Sequence, residues 1–82
     1  MIGIKEKSMH YNDFSVFSQK LRVRIIQLRK RKGLTQEDMQ SFELSLRQYQ
    51  RIEHGTTTNI TITHLFKISK ALGVSMHELL FF

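Results

Sequence analysis

The stretch from Gly33 to Gly55, GLTQEDMQSFELSLRQYQRIEHG, leaves little choice of local structure. It carries two helix-start signals: Thr35 is followed three residues later by Asp38, and Ser45 three residues later by Gln48. A hydroxyl at a helix N-cap accepts from a free backbone N–H, and a polar side chain three positions on reaches back to the cap. Gly33 and Gly55 fit the left-handed residues that end helices. The stretch therefore reads as two short helices joined by a tight turn. The second, Leu46 to His54, has two faces. Tyr49 and Ile52 point inward, while Leu46, Arg47, Gln50, Arg51 and His54 fall on the other side. That outer face holds long hydrogen-bond donors and almost no acid, a shape suited to a DNA major groove.

Composition narrows the partners. The chain has 82 residues, enough for one small domain, and its 40% hydrophobic content supports a packed core. Thirteen Lys and Arg against seven Asp and Glu give a net charge of +6, which favours a polyanion through release of phosphate counterions. A basic surface kept for solubility would give the same sum. Absence of cysteine excludes disulfides, thiolate metal sites and thiol nucleophiles. His10, His54, His64 and His77 are scattered, so we expect no metal site and no cofactor. No apolar run nears the ~20 residues of a membrane span, and MIGIKEKSMHYND lacks the apolar core of a signal peptide. The expectation is a cytoplasmic, nucleoid-associated protein with no membrane partner.

In chain order the pattern predicts an all-α, compact five-helix bundle. Residues 1–13 lack periodicity and read as a mobile or loosely docked arm, in which Lys5 and Lys7 permit DNA contact; residues 14–82 form the domain proper. The first helix should begin near Asp13 or Ser15 and run to Lys32, with Phe14, Phe17, Leu21, Ile25 and Leu28 as its apolar stripe and Val23 and Ile26 at the edge. Seven basic residues and no acid lie between Lys20 and Lys32. Arg29, Lys30, Arg31 and Lys32 suit the negative end of the helix dipole, and a phosphate contact by at least one of them is the sharper reading. The second helix covers about Gln36 to Phe42, with Met39 and Phe42 inward, and Leu44 packs ahead of the third, Leu46 to His54. Residues 55–60, GTTTNI, form a polar connector whose hydroxyls could also take a phosphate. Thr61 or Thr63 caps a fourth helix, Ile62 to Leu72, with Leu65, Ile68 and Leu72 inward and Phe66 extending the stripe. Gly73 ends it, and Ser75 with Glu78 opens the fifth element.

Met76, Leu79, Leu80, Phe81 and Phe82 make the last seven positions unusually apolar. Either Phe81 and Phe82 fold back on their own core, or a second copy covers them. Exposed apolar patches mark partner surfaces, and two-fold dimers are the commonest closed assembly. We therefore expect a homodimer through Leu80, Phe81 and Phe82.

Three segments together, LRVRIIQLRKRKGLTQEDM, SLRQYQRIEHG and ITITHLFKISKALGVSMHELL, resemble the XRE-type helix-turn-helix domains, the relatives of phage lambda repressor and Cro. The resemblance runs from about Phe17 to Leu80. Its most specific pieces are residues 33–37, Arg51-Ile52-Glu53 with Gly55, and residues 70–74 with the Ser75 cap. It implies a five-helix bundle of lambda-repressor type that binds double-stranded DNA as a transcriptional regulator, for instance a repressor. It places Gln36 on a phosphate and against the recognition helix; Thr35, Gln48, Lys32 and Thr57 are the further candidates for phosphate contact. It makes Leu46, Arg47, Gln50 and Arg51 the base readers, and Glu53 a structural acid. Two departures stand out. From Leu34 to Gly55 the chain is one residue shorter than the commonest spacing, and Glu43 stands near the usual turn glycine. A tightened turn that shortens the second helix is the expected consequence, with the facing of Leu46 and Arg47 most affected.

Side-chain geometry suggests the chemistry. An arginine fork pairs with guanine N7 and O6, a glutamine with adenine, and Leu46 suits a thymine methyl. Arg51 and Glu53 are two apart and do not face each other on a helix. Two copies would set their recognition helices ~34 Å apart on an inverted repeat. Catalysis is not expected: no serine, histidine and acid are spaced as a triad, and helix-start placement accounts for Glu37 and Asp38. The competing class is a protein-interaction module on the same fold, such as an antitoxin, for which the short arm and apolar tail leave limited room.

Overall fold

The computed structural model describes residues 8–56 and 60–82. Among these residues the chain is all-helical: α1, Tyr11–Arg31; a 3-10 helix, Glu37–Phe42; α2, Leu46–His54; α3, Ile62–Leu72; and α4, Met76–Leu79. The expected contributions of residues 1–7 and of Thr57 lie outside the described residues.

One core joins the five elements. Leu21, Ile25 and Leu28 supply it from α1, Met39 from the 3-10 helix, Tyr49 and Ile52 from α2, Ile68, Ala71 and Leu72 from α3, and Leu79 from α4. Leu44 is buried ahead of α2, as its place before the Ser45 cap predicts. Local signals fix the later helix starts. Ser45 Oγ accepts from the Gln48 N–H at 3.3 Å and Thr61 Oγ1 from His64 at 3.1 Å. Ser75 and Glu78 exchange a reciprocal pair of bonds at 3.0 and 3.3 Å. Each such cap is worth about 1 kcal/mol. α2 ends at Gly55, whose φ of +72° lets the Thr56 N–H return to the Arg51 carbonyl.

Three expectations need correction. α1 begins at Tyr11, ahead of Asp13 and Ser15. Asp13 instead sits inside the first turn, where a carboxylate meets the positive end of the helix dipole. Phe17, expected on the inward stripe, is 46% exposed, because the core of so small a domain is filled by residues 21, 25 and 28; it meets the Phe82 ring at 5.4 Å between centroids. Phe66 also turns outward, with Lys70 Nζ 5.2 Å from its ring centre.

The turn between the second and third helices is tight. The Thr35 hydroxyl accepts from the Asp38 N–H at 3.1 Å, and the Thr35 N–H donates to Asp38 Oδ2 at 2.7 Å. The backbone bond from Thr35 holds the Asp38 carboxyl below its usual range. From Glu37 to Phe42 the backbone then winds as a 3-10 helix in place of a regular α-helix. Glu43 closes it in the left-handed conformation, φ +62°, the one non-glycine residue with positive φ among those described. Its carbonyl accepts from Lys67 Nζ at 3.2 Å. A left-handed β-carbon is unfavourable by roughly 1–2 kcal/mol, while glycine loosens the unfolded chain by roughly 0.4–1 kcal/mol. Glu43→Gly should therefore stabilise the protein by up to about 1 kcal/mol, read as a raised thermal midpoint; a lowered midpoint would show that the Glu43 side chain holds the turn.

Candidate nucleic-acid interface

α2 is held against α1 by charge and not by apolar contact alone. Arg29, on α1, donates from Nε to Glu53 Oε2 at 2.5 Å and from Nη2 to Oε1 at 3.0 Å. Its Nη1 donates to the Leu34 carbonyl at 2.7 Å, so one guanidinium ties together the end of α1, the loop after it and α2. Both partners are buried, Arg29 at 9% and Glu53 at 3% exposure. Arg22, two turns earlier, donates to the Glu53 backbone carbonyl at 3.0 Å. Burial pushes the Glu53 carboxyl up, but its polar neighbours, Arg29 first and then Tyr49 and Gln36, outweigh it and hold the group below the usual carboxylate range. The same bond to Glu53 raises the Arg29 guanidinium further. The Tyr49 hydroxyl is buried beside the pair, and burial next to the Glu53 carboxylate pushes it well above its ordinary value.

The network continues to the surface. Gln36 Nε2 donates to Glu53 Oε1 at 3.0 Å, and Gln36 Oε1 accepts from Gln50 Nε2 at 3.2 Å. A carboxylate only accepts, so Glu53 fixes which end of the Gln36 amide faces it. Gln36 in turn fixes which end of Gln50 faces inward. The Gln50 carbonyl oxygen then accepts no hydrogen bond among the described residues, and one N–H of its amide stays free beside it.

The outward face of α2 is basic. Arg47, Arg51 and His54 are exposed, and Leu46 and Gln50 are half-buried. Glu53, the acid of this helix, faces Arg29, so the outward face carries none. Of the other anticipated contacts, Thr35 and Gln48 are exposed beside the start of their helices. Lys32 is exposed but its ammonium donates to the Ala71 carbonyl at 3.2 Å, at the end of α3, and a β-carbon on Gly73 would stand 2.8 Å from it. Arg29, expected among the dipole-complementing cations of the last turn, faces the core. Its role and that of Arg22 escape a reading by residue type. Spacing does reveal Arg29: it lies four residues after Ile25 and next to Leu28, on the buried side of α1, just as Glu53 lies four after Tyr49.

Two helices joined by a left-handed turn, with the second held so that its basic side faces outward, define a helix-turn-helix domain. The helix-turn-helix family model HTH_3 matches residues 25–79. That span is most of the chain, and the chain belongs to this XRE-type helix-turn-helix family of DNA-binding regulators. No curated protein and no solved structure matches the chain. Among the described residues no helix is long and apolar enough to cross a membrane.

The buried pair generates a prediction. Removing one partner of such a pair costs roughly 3–5 kcal/mol because the other charge is left alone. Arg29→Met or Glu53→Leu should each lower stability by about that much, and the double variant should be more stable than the worse single one. Because Glu53 titrates lower in the folded chain than unfolded, its contribution is complete above the ordinary carboxylate range and is lost as pH falls through the depressed folded value. Chemical denaturation between pH 3 and 7 should show a shallower acid loss in the double variant; an unchanged slope would exclude Glu53 as its source.

Proposed function

We propose that the protein is a sequence-specific regulator of transcription that reads double-stranded DNA as a homodimer, without enzymatic activity, in the cytoplasm and associated with the nucleoid. The observation that carries this is the inward turn of Glu53. It removes the negative charge that would oppose phosphate and leaves Arg47 and Arg51 exposed on one helix face. In this reading α2 enters the major groove, with Leu46, Arg47, Gln50 and Arg51 at base edges. Arg47 or Arg51 pairs with guanine, and Leu46 lies against a thymine methyl. Gln50 offers a free carbonyl oxygen beside a free N–H, the complement of adenine N6 and N7. Thr35, Gln36, Gln48 and Thr57 take phosphates, Gln36 through its remaining N–H, and Lys32 joins them by exchanging the Ala71 carbonyl for a phosphate. The homodimer forms through the apolar surface of Leu80, Phe81 and Phe82, and each copy reads one half of an inverted repeat.

Selection of bound duplexes from a random pool tests the reading directly. It should return an inverted repeat whose half-sites lie about one duplex turn apart. Recovery without any shared sequence would overturn it. Arg47→Ala and Arg51→Ala should each lose roughly 1–3 kcal/mol of discrimination at one base pair while the fold stays intact by circular dichroism. Operator affinity unchanged in both would remove α2 as the reader. Gln36→Ala should weaken binding to all duplexes and, in addition, flatten the preference at the base pair read by Gln50. A uniform loss with that preference intact would limit Gln36 to the phosphate.

A further inference from the structure

The side of α1 that faces away from α2 is unusually apolar. Val16 is 55% exposed and Phe17 46%, with Leu80 at 40% and Phe82 at 46% beside them. Together with Asp13 and Lys20 these residues line one shallow groove of about 350 Å³. Asp13 and Lys20 are both exposed, and neither makes an ion pair among the described residues. They are seven residues apart, two turns, so both lie on the face that Val16 and Phe17 occupy.

The order along this face is self-complementary. Asp13 lies three residues before Val16, and Lys20 three after Phe17. Two copies of α1 laid antiparallel about a two-fold axis between residues 16 and 17 bring together positions whose numbers sum to 33. Asp13 then meets the partner's Lys20, Lys20 meets the partner's Asp13, and Val16 meets the partner's Phe17. Each charged position lies only ~5 Å along the helix from the axis, so the pairing survives at either common helix-crossing angle. A basic chain of net charge +6 repels its own copy, and this face is one where the copies meet acid to base. Opposite charges placed this way also fix the register.

We propose that α1 packs antiparallel on α1 of a second copy through Val16 and Phe17, with Asp13 and Lys20 as reciprocal inter-subunit ion pairs and the Leu80–Phe82 segment as the flanking wall. This rests on the proposed homodimer and gives that dimer its axis and its register. The helix face turned toward α2, which bears Arg22 and Arg29, lies about half a turn round α1, so the interface leaves the DNA-reading unit free.

Charge exchange tests it. The full chain and its D13K, K20D and D13K/K20D variants are compared by sedimentation over a range of concentrations, with circular dichroism for the fold. Either single reversal converts two attractive contacts into repulsive ones and should weaken the dimer roughly 3–10-fold, while the double variant should return within about twofold of the starting affinity. Loss of Asp13 from the first turn of α1 is common to D13K and the double variant, so it cannot produce the recovery. A double variant as weak as the singles overturns the antiparallel register. Single variants as tight as the original overturn the α1 face but leave a dimer through Phe81 and its neighbours. A purely monomeric original chain at high micromolar concentration overturns both.

Discussion

A single buried ion pair sets the attitude of α2, the second helix of the helix-turn-helix. Apolar burial of Tyr49 and Ile52 attracts α2 to the core but is non-directional, and a nine-residue helix with two anchors can still roll about its axis. The Arg29–Glu53 bonds remove that freedom, because a guanidinium fork donates two bonds to a carboxylate in one plane. Such a pair contributes little net stability over an apolar replacement, since desolvation offsets most of the attraction. Its value lies in the penalty for any other arrangement: a rolled α2 would leave two opposite charges buried apart. The same bonds take the acid off the outward face. Orientation and electrostatic sign are thus set by one contact.

That contact reaches the surface through two amides. Glu53 accepts from Gln36, and Gln36 accepts from Gln50, so a charge in the core decides which atoms Gln50 shows to solvent. A free glutamine presents either end of its amide at almost equal energy. A tethered one is pre-organised, and less rotamer freedom is lost when it meets a base. Gln36 therefore contributes to selectivity without itself touching a base edge in this reading.

Much of the fold was legible because its signals are local. Ser45, Thr61 and Ser75 mark helix starts through bonds made within four residues, and Gly55 and Gly73 mark ends by backbone conformation alone. Glu43, standing where the related domains usually carry glycine, together with the shorter spacing, pointed to the tightened turn, and the 3-10 geometry is its outcome. The site was legible only in outline. Arg47 and Arg51 follow from helical spacing, but Arg29 resembles its neighbours Lys30 and Arg31 by residue type, and only its distance from Ile25 and Leu28 separates it from them. Gln36–Gln50 joins residues fourteen apart, a contact that depends on how closely two helices approach. Phe17 and Phe66 satisfy the apolar period yet lie outside, since periodicity gives a helix face and not the size of the core that receives it.

α1 is long for so small a domain, at 21 residues, and its two sides do different work. One side carries the cations that grip α2: Arg22 on the Glu53 carbonyl and Arg29 on its carboxylate. The opposite side carries Val16, Phe17 and the flanking charges. In the proposed dimer, the path from one reading helix to the other runs α2 to α1, α1 to the partner's α1, and on to the partner's α2. At ~8–10 Å per packed pair these three steps span roughly 24–30 Å, and any offset along the helices adds to that, toward the ~34 Å of one duplex turn. A pairing of the two reading helices through their own faces would collapse this separation and bury Arg47 and Arg51. The rigidity of a continuous helix with clamps on one side and a partner on the other is what would convert a dimer contact into a fixed half-site spacing.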